Sequence, residues 1–260
     1  MNTITSRNNE RIKDLVRLRD RKERTERDLF FIEGIHLAEE YLRHCGYPQE
    51  VYFTEKALGT YSGFISALPD GIKYLVSDGV FEKISTESAP QGILCVCKGL
   101  SFSTENPDCG GILFLESVRD TGNLGTVIRT AVALGVKAIV LSPDCADIFN
   151  PKTLRASMGA VFAARIYIPS DFSSAVEKAK RYGKVYATAL HDNSLVLGTF
   201  AVTDDDSFII GNEGQGISGQ VKTLADATVI IPMTGKTESL NAASAASIII
   251  WEMTRCNNGR

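Results

Sequence analysis

The sequence contains no apolar run close to the roughly 20 residues that a helix needs to cross a bilayer. Its hydrophobic stretches, such as SIIIW at Ser247 to Trp251, are far shorter, and its amino terminus is polar rather than signal-like. A membrane anchor is therefore not expected, and the cytoplasm is the expected compartment. Low-complexity tracts and solenoid-type repeats are missing as well. The six cysteines (Cys45, Cys95, Cys97, Cys109, Cys145, Cys256) include no C-x-x-C pair and no accompanying histidine ligand pattern. Neither a metal site nor a disulfide framework is indicated, and the thiols read as reduced, mostly buried small hydrophobes. The three histidines, His36, His44 and His191, have no Ser or Cys partner in a recognisable nucleophile motif, which leaves hydrolase chemistry with little support.

What the chain does have is 260 residues with 44% hydrophobic content, enough for two domains that each bury a core. From Leu29 to Cys97, short apolar runs (LFFI, VYFT, KYLV, GILCVC) alternate with helical segments such as HLAEEYLRH and SDGVFEKIS. That pattern predicts a small α/β domain over residues 1–98. Residues 99–110 collect Ser, Thr, Asn, Pro and Gly, a linker composition. Over 111–260 the runs ILFLE, AIVLS, ARIYI, VYATAL, SFIIG and TVIIP are continuous rather than alternating. Strands buried on both faces read this way, so a parallel sheet covered by helices is expected.

The formal charge is −3, yet residues 1–30 hold nine Lys or Arg against six Asp or Glu, and the rest of the chain therefore carries about −6. Within the run RIKDLVRLRDRKER, the residues Arg11, Lys13, Arg17, Arg21, Lys22 and Arg24 are candidates for contact with a polyanion. The same run also fits a solvated amphipathic helix, with Ile12, Leu15 and Val16 toward the core. Charge alone leaves these two readings level, because the intervening acids can neutralise much of the field.

Polar residues gather at three strand-to-loop-to-helix corners, which is where open parallel sheets bind ligands. In the first, Ile112 to Gly135, Asn123 and Gly125 precede a helix whose Val127, Ala131 and Leu134 share one face, with Arg129 pointing nearly opposite. The second is GNEGQGIS, in which Gly211, Gly214 and Gly216 surround Asn212 and Glu213. The third runs from Ile231, Pro232 and Met233 through TGKTE to Ser239, Leu240 and Asn241, and then into a helix rich in small residues. Each corner has a plainer reading: an exposed helical arginine, a surface loop with a solvated glutamate, a buried helix that needs small residues only for packing. A dinucleotide site also competes for the first corner, with Asp144 about 20 residues beyond the turn as a ribose-binding acid. That turn offers Gly122 and Gly125 without the G-x-G-x-x-G spacing.

Taken in order, N-x-x-G-x-x-x-R-T-A at Asn123 to Ala131, GNEGQGIS and IPMTGKTESLNAA resemble the three motifs of the SpoU/TrmH family of RNA ribose methyltransferases, within the SPOUT superfamily. The opening residues and APQGILCV at Ala89 to Val96 look like the substrate-binding domain that many members carry, similar in fold to a ribosomal RNA-binding protein. The resemblance implies S-adenosylmethionine as cofactor, held largely through backbone groups at Gly211, Ile231 and Leu240, with Thr188 and Met233 lining the pocket. It implies that Asn123, Arg129, Glu213, Ser239 and Asn241 surround the transferred methyl. It further implies a trefoil knot in the carboxyl-terminal domain, a homodimer, and structured RNA, above all ribosomal RNA, as substrate. Two other functions remain to be weighed: a non-catalytic RNA-binding or ribosome-assembly protein on the same fold, and a small-molecule nucleotide enzyme.

Overall fold

The computed structural model describes residues 2–189, 194–236 and 239–255; His191, Thr237, Glu238 and Cys256 fall outside them. The strands are β1 (Asn2–Ile4), β2 (Leu29–Glu33), β3 (Glu50–Phe53), β4 (Lys73–Val76), β5 (Ile93–Lys98), β6 (Ile112–Leu115), β7 (Ala138–Leu141), β8 (Ile166–Tyr167), β9 (Val185–Thr188), β10 (Leu195–Val196), β11 (Ser207–Ile210) and β12 (Ala227–Ile230). The helices are α1 (Glu10–Arg17), α2 (Arg21–Arg27), α3 (Ile35–Cys45), α4 (Glu55–Thr60), α5 (Ser62–Ala67), α6 (Asp78–Ile84), α7 (Thr121–Leu134), α8 (Pro151–Ser157), α9 (Phe172–Ala179), α10 (Gly219–Leu224) and α11 (Ala242–Thr254). They form two compact units: Met1–Leu100 with Asp147–Phe162, and Ser101–Ala146 with Ala163–Arg260. Among the described residues no helix is long and apolar enough to cross a membrane.

In the first unit the sheet order is β1-β4-β3-β5-β2, with β5 antiparallel to both neighbours and the other pairings parallel. Alternation along β2 sorts its aromatic residues, since successive side chains leave a strand on opposite faces. Phe31 joins Ile12, Leu15, Tyr52, Val80 and Leu94 in one core layer. On the other face Phe30 stacks on Phe149, with centroids 4.6 Å apart, and Tyr41 meets Phe162 edge-on at 5.4 Å.

The basic run does not form one helix. Asn9 caps α1 by accepting from Arg11 N, the helix stops at Leu18, and Asp20 caps α2 by accepting from Lys22 N. Asp and Asn favour such ends because their short side chains satisfy the orphan amides of a first turn. Arg17 therefore belongs to a different helix from Arg21 and Arg24, and the three share no helical face. Arg24 departs further from the expectation of a polyanion contact. It is 5% exposed, it pairs with Asp147 through Nε at 3.1 Å, and it donates to the carbonyls of Leu18 and Arg19. Ile12 and Leu15 are buried, as the amphipathic reading requires, while Val16 is only partly covered.

The second unit has an all-parallel sheet in the order β10-β12-β9-β11-β6-β7-β8. On one face, Ile112, Phe114, Val140, Val185 and Ile209 pack with Phe172, Val176 and Ala179 of α9 and Val221 of α10. On the other, α11 lies against α7 and β11. From β6 the chain moves outward to β7 and β8, then crosses back to β9, and β11 later fills the position between β9 and β6. The carboxyl ends of β6 and β11 thus stand side by side where strand order reverses, the position at which open α/β sheets form a crevice.

Candidate active site

Helix α7 begins earlier than its apolar stripe suggests. Asp120 accepts from Asn123 N at 2.7 Å and starts the helix at Thr121, so Asn123 and Gly125 lie inside its first turns rather than before it. The Asn123 amide donates to Glu213 Oε1 at 2.9 Å, and the Asn241 amide donates to Asn123 Oδ1 at 3.0 Å. Asn241 also caps α11, with Oδ1 accepting from Ala243 N and Ser244 N. One chain of hydrogen bonds therefore joins a residue from each of the three motifs. Each amide is fixed at both ends, which sets which atom of each donates.

Beside this chain lies a cavity of about 650 Å³ at the carboxyl ends of β9, β11 and β12. Thr188, Gly211, Ile231, Met233 and Leu240 all line it, as do Glu213 and Ser239. Asn123 and Asn241 do not line it, and the hydrogen bond from Asn123 to Glu213 joins them to its wall. Arg129 is exposed on α7, does not line the cavity, and has no ion pair or hydrogen bond to a described residue. Thr188 Oγ1 donates to Ile209 O at 3.0 Å, tying β9 to β11 at the cavity's edge. Gly211 has a steric reason to be glycine: a Cβ there would stand 2.4 Å from the Gly216 carbonyl carbon. The loop folds back this tightly through a paired exchange, Asn212 N to Gly216 O at 3.0 Å and Gly216 N to Asn212 O at 2.9 Å.

Four residues that matter to this geometry were not among the candidate catalytic or cofactor-binding residues. Asn212 donates through Nδ2 to Ser117 O at 2.8 Å and accepts from Gly214 N and Gln215 N. Buried Glu116 accepts from Ser218 N at 2.9 Å, so the 211–218 loop is fastened to the end of β6 at both of its ends. Ser117 has φ of +56°, a left-handed conformation that a non-glycine residue holds only when its surroundings fix it. They do: its carbonyl accepts from Asn212, its N–H donates to Ser142 Oγ at 2.8 Å, and its hydroxyl donates to Asp144 at 2.6 Å. The fourth, Lys222 of α10, lines the cavity. The polar spacing of motif two could have flagged Asn212; nothing local marks Ser117 or Lys222.

Asp144 is engaged within this corner rather than turned toward a ribose. Hydrogen bonds from Ser117 and Ser142, and then Arg119, hold its carboxyl down to about 2. Five cysteines are free among the described residues, with Cys95, Cys97 and Cys145 buried and Cys45 and Cys109 partly so. Burial pushes the Cys95 thiol up to about 12, which makes it an inert hydrophobe at neutral pH.

The chain is similar to known proteins in sequence and in fold. Residues 111–251 match the SpoU rRNA Methylase family, and residues 9–95 match the MRM3-like substrate binding domain. The 23S rRNA (guanosine(2553)-2′-O)-methyltransferase RlmP of Bacillus subtilis is 35% identical, over 97% of this chain and 99% of that protein. The AdoMet-bound rRNA methyltransferase from Sinorhizobium meliloti superposes with a TM-score of 0.82 at 28% identity, covering 98% of this chain and 97% of that one. An RNA 2′-O ribose methyltransferase structure gives 0.85 at 28% identity, covering 98% and 99%. A family match over more than half the chain, joined to a relative similar along nearly its whole length, means that this chain belongs to the SpoU rRNA methylase family.

Proposed function

We propose that this chain transfers a methyl group from S-adenosylmethionine to a ribose 2′-hydroxyl of ribosomal RNA. The observation that carries the reading is the Glu213–Asn123–Asn241 chain set against the 650 Å³ cavity. A cavity of that size suits a nucleoside-sized ligand, since small-molecule pockets run from about 300 to 1,000 Å³. Its lining fits as well: the bare backbone at Gly211 and the apolar Ile231, Met233 and Leu240 can take an adenosine, and the intact polar groups beside it favour an enzyme over a non-catalytic RNA-binding protein. When bound, the cofactor supplies an electrophilic methyl on a sulfonium.

The chain's own residues have the remaining work. Asn123, Asn241 and Ser239 orient the ribose or the arginine beside it, and Glu213 fixes the Asn123 amide. Arg129 donates to a target phosphate and stabilises charge developing on the 2′-oxygen. A guanidinium keeps its proton at neutral pH and is a donor rather than a base. Positioning of this kind supplies much of the rate in a transfer between two bound groups. Residues 1–98 hold the RNA, and 111–260 form the methyltransferase domain with its trefoil knot, in a cytoplasmic protein.

The active species is a homodimer. Ile248 and Trp251 of α11 are 40% and 55% exposed, and Arg129 has no partner among the described residues, so a second copy covering α11 can bring an RNA-holding surface to Arg129. Titration with S-adenosylmethionine separates the enzyme from the assembly protein, because only the former requires binding. Mapping ribose methylation in RNA from cells with and without the chain then names the nucleotide, beginning with 23S rRNA. An unchanged map together with no cofactor binding refutes the reading. Sedimentation of an active monomer at micromolar concentration refutes the dimer.

A further inference from the structure

Among the described residues of the cavity lining, Glu213 and Lys222 are the charged side chains, and they differ in how they are satisfied. Glu213 accepts from Asn123. Lys222 is half-buried on α10, and its ammonium has no ion pair or hydrogen bond to a described residue. Lys180, in the same region of the fold, shows the ordinary arrangement: it lies 3.0 Å from the Asp226 carboxylate and donates to Leu224 O at 3.0 Å. Lys222 is thus a positive charge at the cavity wall with no acid bonded to it among the described residues, and apart from Glu213 the other described lining residues are neutral.

Resting on the reading that this cavity takes S-adenosylmethionine, we propose that Lys222 pairs with the α-carboxylate of the cofactor's methionine portion. That portion bears one anion, the carboxylate, and two cations, the ammonium and the sulfonium. A fixed positive charge attracts the first and repels the other two, so it orients the amino-acid portion as well as anchoring it. The long, flexible stem of a lysine lets its compact charge follow the carboxylate, whereas the neutral groups of the lining can only grade the fit.

The test compares two ligands that differ in the amino-acid portion. S-adenosylhomocysteine carries the carboxylate; 5′-methylthioadenosine lacks the whole amino-acid group and keeps the adenosine. Calorimetric titration of the full chain should show Lys222→Met weakening S-adenosylhomocysteine about tenfold, the scale of a charge-assisted hydrogen bond, with methylthioadenosine affinity unchanged within about twofold. Lys222→Arg should restore most of the loss. Lys222→Gln, read with the same two ligands, serves if the Met variant folds poorly. Equal weakening of both ligands would show that Lys222 only shapes the cavity. Unchanged S-adenosylhomocysteine affinity with weaker RNA binding would assign the lysine to a phosphate instead. Either result overturns the proposal. If the unaltered chain binds neither ligand, the cofactor reading of the cavity fails first and the lysine assignment falls with it.

Discussion

In the first unit several exposed cations come with acids: Lys13 lies 2.6 Å from Glu10, Arg17 3.6 Å from Asp14, and Lys22 3.7 Å from Glu26. In the second, Arg129 and Lys222 have no acidic partner among the described residues, while the amides of Asn123, Asn212 and Asn241 each both donate and accept hydrogen bonds. The difference is one of purpose as well as arrangement. Exposed ion pairs contribute only about 0–1 kcal/mol each, so a phosphate can displace the acid at little cost, and the surface offers graded, salt-sensitive attraction. Under the proposed mechanism, amides already fixed by hydrogen bonds need no reorganisation when charge develops, which is how preorganised sites stabilise a transition state.

The sharpest way to break this contrast is Arg129→Ala. If the guanidinium acts only on charge that develops during transfer, single-turnover methylation should fall by about 10²–10³, the scale seen when one such donor is removed, while S-adenosylhomocysteine affinity stays within about twofold. A parallel loss of both would mean that Arg129 supports the cavity and that the two functions are not separate.

Asn212→Ala comes next in size, because it removes the tie to Ser117 and the acceptor for Gly214 and Gln215 at once. Leaving such partly buried groups unpaired should cost about 1–3 kcal/mol of stability and weaken cofactor binding, read by denaturant titration and calorimetry. Asn212→Asp keeps the acceptor but loses the donor to Ser117, so it should fall between the two. A neutral result for both would show that the 211–218 loop holds its shape through Gly211 and Gly216 alone.

How far the sequence reveals this molecule depends on the range of the interactions involved. Continuous apolar runs marked six strands of the second unit, because burial on both faces leaves a local signature. The five strands of the first sheet were less evenly visible: β2 to β5 stood out, but β1 is three residues long and carries one buried side chain, Ile4. The break between α1 and α2 was present in the sequence as Asp20, yet helical periodicity hid it. Gathering of Thr188, Gly211, Ile231, Met233 and Leu240 around one cavity followed from motif resemblance, since nothing in their spacing brings them together. The left-handed Ser117 and the stacking of Phe30 on Phe149 depend on partners distant along the chain, to which local patterns are blind.

Structure also changes which variant tests the basic surface. Arg24 is buried against Asp147, so replacing it would destabilise the first unit and confuse the reading. Arg17, Arg21 and Lys22 are all exposed. Replacing these three with Ala should lower the slope of log affinity against log salt by about 2–3 if each meets a phosphate, since each contact releases close to one counterion. Cofactor affinity should not move. An unchanged slope in filter-binding or fluorescence titrations would make this surface a solvated face and transfer RNA binding elsewhere.

The smallest expected effect distinguishes a corner held by charge from one held by packing. The Asp144 carboxyl is lowered to about 2 by its hydrogen bonds from Ser117 and Ser142, then Arg119, whereas in an unfolded chain it would titrate near 3.9. A carboxyl depressed by folding binds its proton more weakly in the folded state. Its contribution is therefore fully present above about pH 4 and is lost as pH falls from there toward 2. Asp144 is 47% exposed, so water screens the effect and the change in stability should be slight. The measurement is a carbon-detected titration of the Asp144 carboxyl, with amide exchange at Ser117 followed over the same range. A midpoint near 2, with Ser117 loosening as the proton binds, would tie the left-handed turn to this charge. With Asp144→Asn, that pH dependence should vanish. A midpoint near 4 with steady Ser117 protection would leave Asn212 and Ser142 as sufficient to hold the turn, and the corner would then resemble the amide-fixed site beside it rather than the charge-paired surface of the first unit.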